Sequence, residues 1–101
     1  MKSKRTKALE ITMEVKRVVH ERDSGCCIYC GKQAVDIMHF ISRGRLGLGI
    51  KENLACGCRE CHAKYDHSGE KKEYEKKFRN YLNSLYPDFE DEDRIYKKGG
   101  K

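Results

Sequence analysis

Four of the chain's six cysteines fall in two Cys-x-x-Cys pairs, Cys27/Cys30 and Cys58/Cys61. Four thiolates at that spacing can close a tetrahedral zinc site with no open coordination position, which is a structural use of the metal. Gly31, directly after the second cysteine, lets the backbone fold back around an ion. Cys26 and Cys56 are left over; either could compete for the metal, and neither completes another pair at the usual spacing. The competing use of such residues is as small buried hydrophobes, and the doubled spacing favours zinc. Between and just after the pairs lie residues of different chemistry: His39 at the end of an apolar run, Asn53 in Glu52-Asn53-Leu54, His62 after the last cysteine, and Asp66 four positions on. An imidazole is about half neutral near pH 6.5, so it can act as a general base without a large shift. Taken singly, His39 also reads as a satisfied core histidine and His62 as a fifth zinc ligand.

The elements that must position these groups follow from periodicity. Ile11, Val15, Val18 and Val19 recur at helical spacing and predict a helix over Thr12–Arg22, stopped near Gly25, that packs on the zinc lobe without chemistry of its own. Ala34–Ile41 reads as a short strand with Asp36 and Met38 on one face and Val35, Ile37 and His39 on the other. Asn53–Cys56 reads as a second strand, forming a hairpin around a basic loop, Ser42–Lys51, that carries Gly44, Gly47 and Gly49. A short helix over Arg59–Asp66 sets His62 and Asp66 on one face. Ser68-Gly69 breaks it, and a longer helix over Glu70–Tyr86 buries a stripe of Tyr74, Phe78, Tyr81, Leu82 and Leu85 before Pro87. The class is α+β: a basic arm over 1–10, one domain over 11–86 with its core at 26–67, and a polar tail over 87–101 that includes the acidic run Glu90–Asp93 and ends Gly99-Gly100-Lys101.

Composition sets the scale. A chain of 101 residues that is 38% hydrophobic and 38% charged has little apolar material for a large core, so a metal staple is expected. A net charge of +6 and a pI near 9.0 favour a polyanionic partner, nucleic acid ahead of an acidic membrane surface. The first ten residues contain no apolar signal core and no stretch reaches transmembrane length, so the expected compartment is reducing and cytoplasmic, with metal ligation preferred to disulfides. The basic residues 1–7 read either as a frayed terminus or as a loose contact with phosphates.

In order and spacing, Cys27-x-x-Cys30-Gly31, His39-Phe40-Ile41-Ser42-Arg43, the glycine-bearing loop, Glu52-Asn53-Leu54 and Cys58-x-x-Cys61-His62 resemble an HNH endonuclease of the zinc-knuckle type, over roughly residues 20–67. The resemblance implies a ββα-metal fold in which His39 activates water, Asn53 orients the His39 backbone, and His62 with Asp66 holds a catalytic Mg²⁺, Mn²⁺ or Ni²⁺ that stabilises the departing 3′ oxygen. It also implies a duplex DNA substrate, 5′-phosphate and 3′-hydroxyl ends, and phosphate contacts from Arg43, Arg45, Lys51 and Lys64. One position departs from the family. Met38 stands where a metal ligand is usual, and a thioether is a poor ligand for a hard cation. Asp36, about 6.6 Å earlier along the same strand face, and His67 on the helix side are the candidates to replace it. The alternative reading is a zinc-stabilised DNA-binding module without catalysis. The helix before Tyr86-Pro87-Asp88-Phe89 is similar to small HNH proteins of phage-like gene sets, which implies a bacterial or phage-infected host cell and a role in DNA packaging beside a phage terminase large subunit.

Overall fold

The computed structural model describes residues 3–67 and 69–97. The readings of Met1 and Lys2, of Ser68 as a helix breaker and of Gly99-Gly100-Lys101 lie outside the described residues, as does the side chain of His67. Among the described residues four α-helices and two strands run in the order α1 (Lys4–Leu9), α2 (Met13–Arg22), β1 (Asp36–His39), β2 (Leu54–Gly57), α3 (Arg59–His67) and α4 (Lys71–Leu85). Single 3-10 turns lie at Arg43–Arg45, Lys51–Asn53 and Asp91–Arg94. Among the described residues no helix is long and apolar enough to cross a membrane.

The hydroxyl of Thr12 starts α2 by accepting the Val15 N–H at 3.2 Å, one of the donors a helix leaves unpaired at its first turn. Gly25, at φ +66°, turns the chain after it. β1 and β2 pair antiparallel with Asp36 opposite Gly57, Ile37 opposite Cys56, Met38 opposite Ala55 and His39 opposite Leu54. Side-chain alternation then divides the core. On one face Met38, Phe40 and Ala55 meet Tyr65 of α3 and Phe78 and Leu82 of α4. On the other, Leu54, Cys56 and Ile37 meet Val15 and Val19 of α2. Full burial of a side chain such as Phe78 or Leu82 is worth roughly 1.5–3 kcal/mol. Leu85, at the end of the predicted stripe, is 39% exposed and contributes less.

β1 is shorter than the predicted strand over 34–41: on its C-terminal side the backbone is taken over by Asn53, described below, and on its N-terminal side the Ala34 N–H donates to the Gly25 carbonyl at 2.9 Å. Two segments expected at the periphery pack inward instead. In α1 Leu9 is buried, and the Ala8 carbonyl accepts the Gly49 N–H at 3.0 Å. In the C-terminal segment Arg94 is 1% exposed, stacks between Phe40 and Phe89, and donates from Nε to the Glu52 carbonyl at 2.7 Å. Leu48 N–H donates to the Arg94 carbonyl and Tyr96 N–H to the Leu46 carbonyl, both at 2.8 Å. The glycine-rich loop is thus held between the two ends of the chain. Its glycines permit close approach: a Cβ on Gly47 would sit 1.7 Å from the Ile41 carbonyl oxygen, and one on Gly49 2.0 Å from that of Glu10.

Candidate functional site

Cys27 and Cys30 come from the turn before β1, Cys58 and Cys61 from the start of α3. Their sulfurs all lie within 4.8 Å of one another, and Cys30 Sγ is 3.7 Å from Cys58 Sγ. A tetrahedral ion with Zn–S bonds of about 2.3 Å has S···S edges of about 3.8 Å. Backbone donors face the sulfurs: Tyr29 N–H to Cys27 Sγ at 3.4 Å and Cys61 N–H to Cys58 Sγ at 3.3 Å. Burial alone raises the Cys27 thiol, but N–H donors from Cys58, Cys30 and Tyr29 outweigh it and bring the pKa down to about 7, whereas burial and the neighbouring thiols push Cys61 up, so the four do not ionise alike without an ion. The donor set fits a structural zinc. Cys56 and Cys26 stand apart from it. The Cys56 thiol is buried against the Val19 carbonyl and pushed up to about 11 by that burial, and the Cys26 thiol donates to Ser24 O at 3.3 Å.

His39 ends β1 on the α2 face and is fixed through its backbone. Phe40 N–H donates to the Asn53 carbonyl at 2.8 Å. Asn53, fully buried, accepts the Ile41 N–H at Oδ1 (2.9 Å) and donates from Nδ2 to the carbonyls of Ile41 (3.1 Å) and Leu48 (2.9 Å). Tyr65 Oη donates to the Phe40 carbonyl at 2.7 Å. Burial lowers the His39 pKa, and the positive charges of Arg43 and His62 lower it further, while the Leu9 backbone opposes them. Nε2 is buried without a hydrogen-bond partner.

His62 stands between two carboxylates, with Nδ1 3.0 Å from Asp36 Oδ2 and Nε2 3.2 Å from Asp66 Oδ2. Its hydrogen bond, with help from Arg59, holds the Asp36 carboxyl below its ordinary range. Each nitrogen–oxygen distance matches one edge of an octahedral Mg²⁺ site, about 3.0 Å for bonds near 2.1 Å. The two edges lie on opposite sides of the ring, so the three residues do not converge on one point. Among the described residues only the four cysteines form a cluster of three or more metal-binding side chains. Met38 is 1% exposed in the core, its sulfur against Gly57.

Neither family models nor curated proteins match the chain.

The four cations named from the sequence are not gathered in one cleft. Arg43 lines a cleft with His39, whereas Arg45 borders a groove with Glu75 and Arg79 on the α4 side. Lys51 lies over the Tyr86 ring and beside Glu52, and Lys64 is exposed on α3. Sequence reasoning also missed Tyr65 and Leu9. Tyr65 carried one usable signal, a hydroxyl-bearing aromatic one helical turn after Cys61. Leu9 acts through its backbone, which no side-chain pattern reveals.

Proposed function

We propose that the chain is a metal-dependent endonuclease of the HNH type, built on a ββα-metal core beside a four-cysteine zinc knuckle, that hydrolyses phosphodiester bonds in DNA. The observation that carries this reading is the clamp on His39: Asn53 and Tyr65 fix the backbone on its C-terminal side, and burial lowers the pKa of the imidazole at the end of β1. In this scheme His39 takes a proton from water, the resulting hydroxide attacks phosphorus, and the bond to the 3′ oxygen breaks, that oxygen taking up a proton from solvent, to leave 5′-phosphate and 3′-hydroxyl ends. His62 with either Asp36 or Asp66 would hold a hard divalent cation, which when bound neutralises charge on the scissile phosphate and the departing oxygen. Arg43 supplies a phosphate contact beside the base. A role beside a phage terminase large subunit belongs to the same proposal and is tested by co-purification.

The test is plasmid cleavage by the zinc-loaded protein with Mg²⁺, Mn²⁺ or Ni²⁺. His39→Ala should lower the rate by about 10²-fold or more; equal cutting by the variant removes His39 as the base. A second reading, a zinc-stabilised DNA-binding module without catalysis, is favoured by Met38 in the core and by the divergent carboxylates around His62. It predicts salt-sensitive binding and no cleavage with any divalent ion. Cleavage lost in both His39→Ala and His62→Ala would eliminate it.

A further inference from the structure

The apolar periodicity of α2 marks it as a packing helix, yet its first turns form one wall of the space in front of His39. Glu10, Thr12, Lys16, His39 and Arg43 border an open cleft of about 500 Å³. The position of Lys16 follows from the core. Val15 and Val19 turn into the sheet against Leu54, Cys56 and Ile37, and the intervening Lys16 emerges at the cleft. Arg17, the next residue, instead pairs with Glu21 one turn on at 3.4 Å. Lys16 and Arg43 are both exposed and, among the described residues, neither forms an ion pair. Glu10 is the one acidic residue in the lining. Two exposed cations without ion pairs at the rim of one open cleft are the recognition chemistry of a phosphate group.

We propose that this cleft seats a phosphodiester of the nucleic-acid backbone, gripped by Lys16 from α2 and Arg43 from the turn after β1. The substrate therefore crosses the molecule on its α2 side, and Lys16 is a substrate-binding residue. The identity of the anion rests on the reading of the chain as a DNA hydrolase. The flexible ammonium of Lys16 gives affinity without sequence choice, as a backbone contact should.

The experiment measures binding of the zinc-loaded full chain to a fluorescently labelled DNA duplex by anisotropy across a salt series, with plasmid cleavage assayed in parallel. Lys16→Ala is expected to weaken binding about five- to tenfold near 100 mM salt and to reduce the slope of log affinity against log salt by about 1. Lys16→Arg should retain most of the binding, and Arg17→Ala, one residue away in an existing pair, should stay within about twofold of the parent chain. If Lys16→Ala and Arg17→Ala behave alike, or if the parent chain does not bind duplex DNA, the cleft is not a phosphate seat. The two readings separate cleanly. Cleavage that depends on His39 while Lys16→Ala binds normally overturns the cleft and keeps the hydrolase. A binding loss specific to Lys16 without cleavage under any divalent ion supports the seat and removes the hydrolase.

Discussion

Asn53 concentrates more of the site's geometry than any other single side chain. A carboxamide both donates and accepts, and here it accepts from the Ile41 N–H and donates to the Ile41 and Leu48 carbonyls from a fully buried position. Asn53→Ala would leave these backbone groups unpaired away from water, a loss of roughly 2–4 kcal/mol. Urea denaturation of the zinc-loaded protein measures it, and a change under about 0.5 kcal/mol would remove Asn53 as the lock. Asn53→Asp should not rescue, because a carboxylate would face two carbonyl oxygens. His39 yields a second prediction at this scale. Its folded pKa lies below the ordinary value of 6.5, chiefly through burial. Between those two values the unfolded chain binds more protons, so this group's contribution makes stability rise with pH through the window and fall as acid protonates the ring. NMR titration should place the His39 midpoint below 6.5, and Arg43→Ala should move it upward by removing a nearby positive charge. A midpoint at or above 6.5 would contradict the buried environment. Asn53 was singled out through the resemblance to HNH endonucleases, which implies that an asparagine at this place orients the backbone beside the histidine; its residue type alone did not single it out. The arrangement at His62 was legible only in part: helical spacing set Asp66 beside it, but spacing does not show that Asp36 takes the other ring nitrogen.

At the scale of elements, the end of α2 is tied to both β2 and α4 through one buried carboxylate. Asp23 accepts the Cys56 N–H at 2.8 Å, pairs with Arg22 at 2.7 Å, and accepts from the Tyr81 hydroxyl. Arg22 continues the tie to the Leu54 carbonyl at 2.7 Å. Asp23→Ala would strand a half-buried guanidinium and a buried N–H together, and the expected loss is about 3–5 kcal/mol by chemical denaturation. A loss no larger than that of an exposed substitution on the same helix, such as Glu14→Ala, would show the tie to be incidental. Helix positions were readable because burial on one face imposes a 3.6-residue period, and the observed α2, α3 and α4 depart from the predicted spans by only a residue at some ends. The docking of α1 and of the C-terminal segment was not readable. The docking of α1 depends on Gly49 letting the Glu10 backbone approach, while Gly47 folds the loop back onto Ile41 so that its edge meets the C-terminal segment, and a glycine-rich loop reads equally as a flexible one. Gly49→Ala sets the two readings against each other. A Cβ against the Glu10 carbonyl should loosen α1 and speed amide exchange over residues 8–11, whereas a merely flexible loop would tolerate the methyl group without change.

At the scale of the molecule, the described residues form three small cores around a two-stranded sheet, and one of those cores consists of Cys27, Cys58 and Cys61 with Tyr29 and Tyr74 packed on them. The cysteine cluster joins the turn before β1 to the start of α3, two regions about thirty residues apart in a chain of 101. Apparent binding free energies of structural zinc sites, about 10–16 kcal/mol, are as large as the whole stability of a typical domain, about 5–15 kcal/mol. Removing the ion should therefore abolish cooperative unfolding rather than merely lower Tm. The purified protein should carry one zinc per chain, and a strong chelator should erase the thermal transition seen by circular dichroism. Zinc, but not Mg²⁺, should restore it, since a hard cation is poorly matched to four thiolates. Cys30→Ser tests the same point at the exposed corner of the cluster, where loss of packing is minimal, so a fall in stability reports ligation and not a cavity. Cys56→Ser supplies the contrast: its thiol is buried under α2, outside the cluster, and zinc content should stay at one per chain. A metal-free protein that unfolds cooperatively within a few degrees of the parent would mean that the apolar cores alone hold the fold, and that the four cysteines are not its staple.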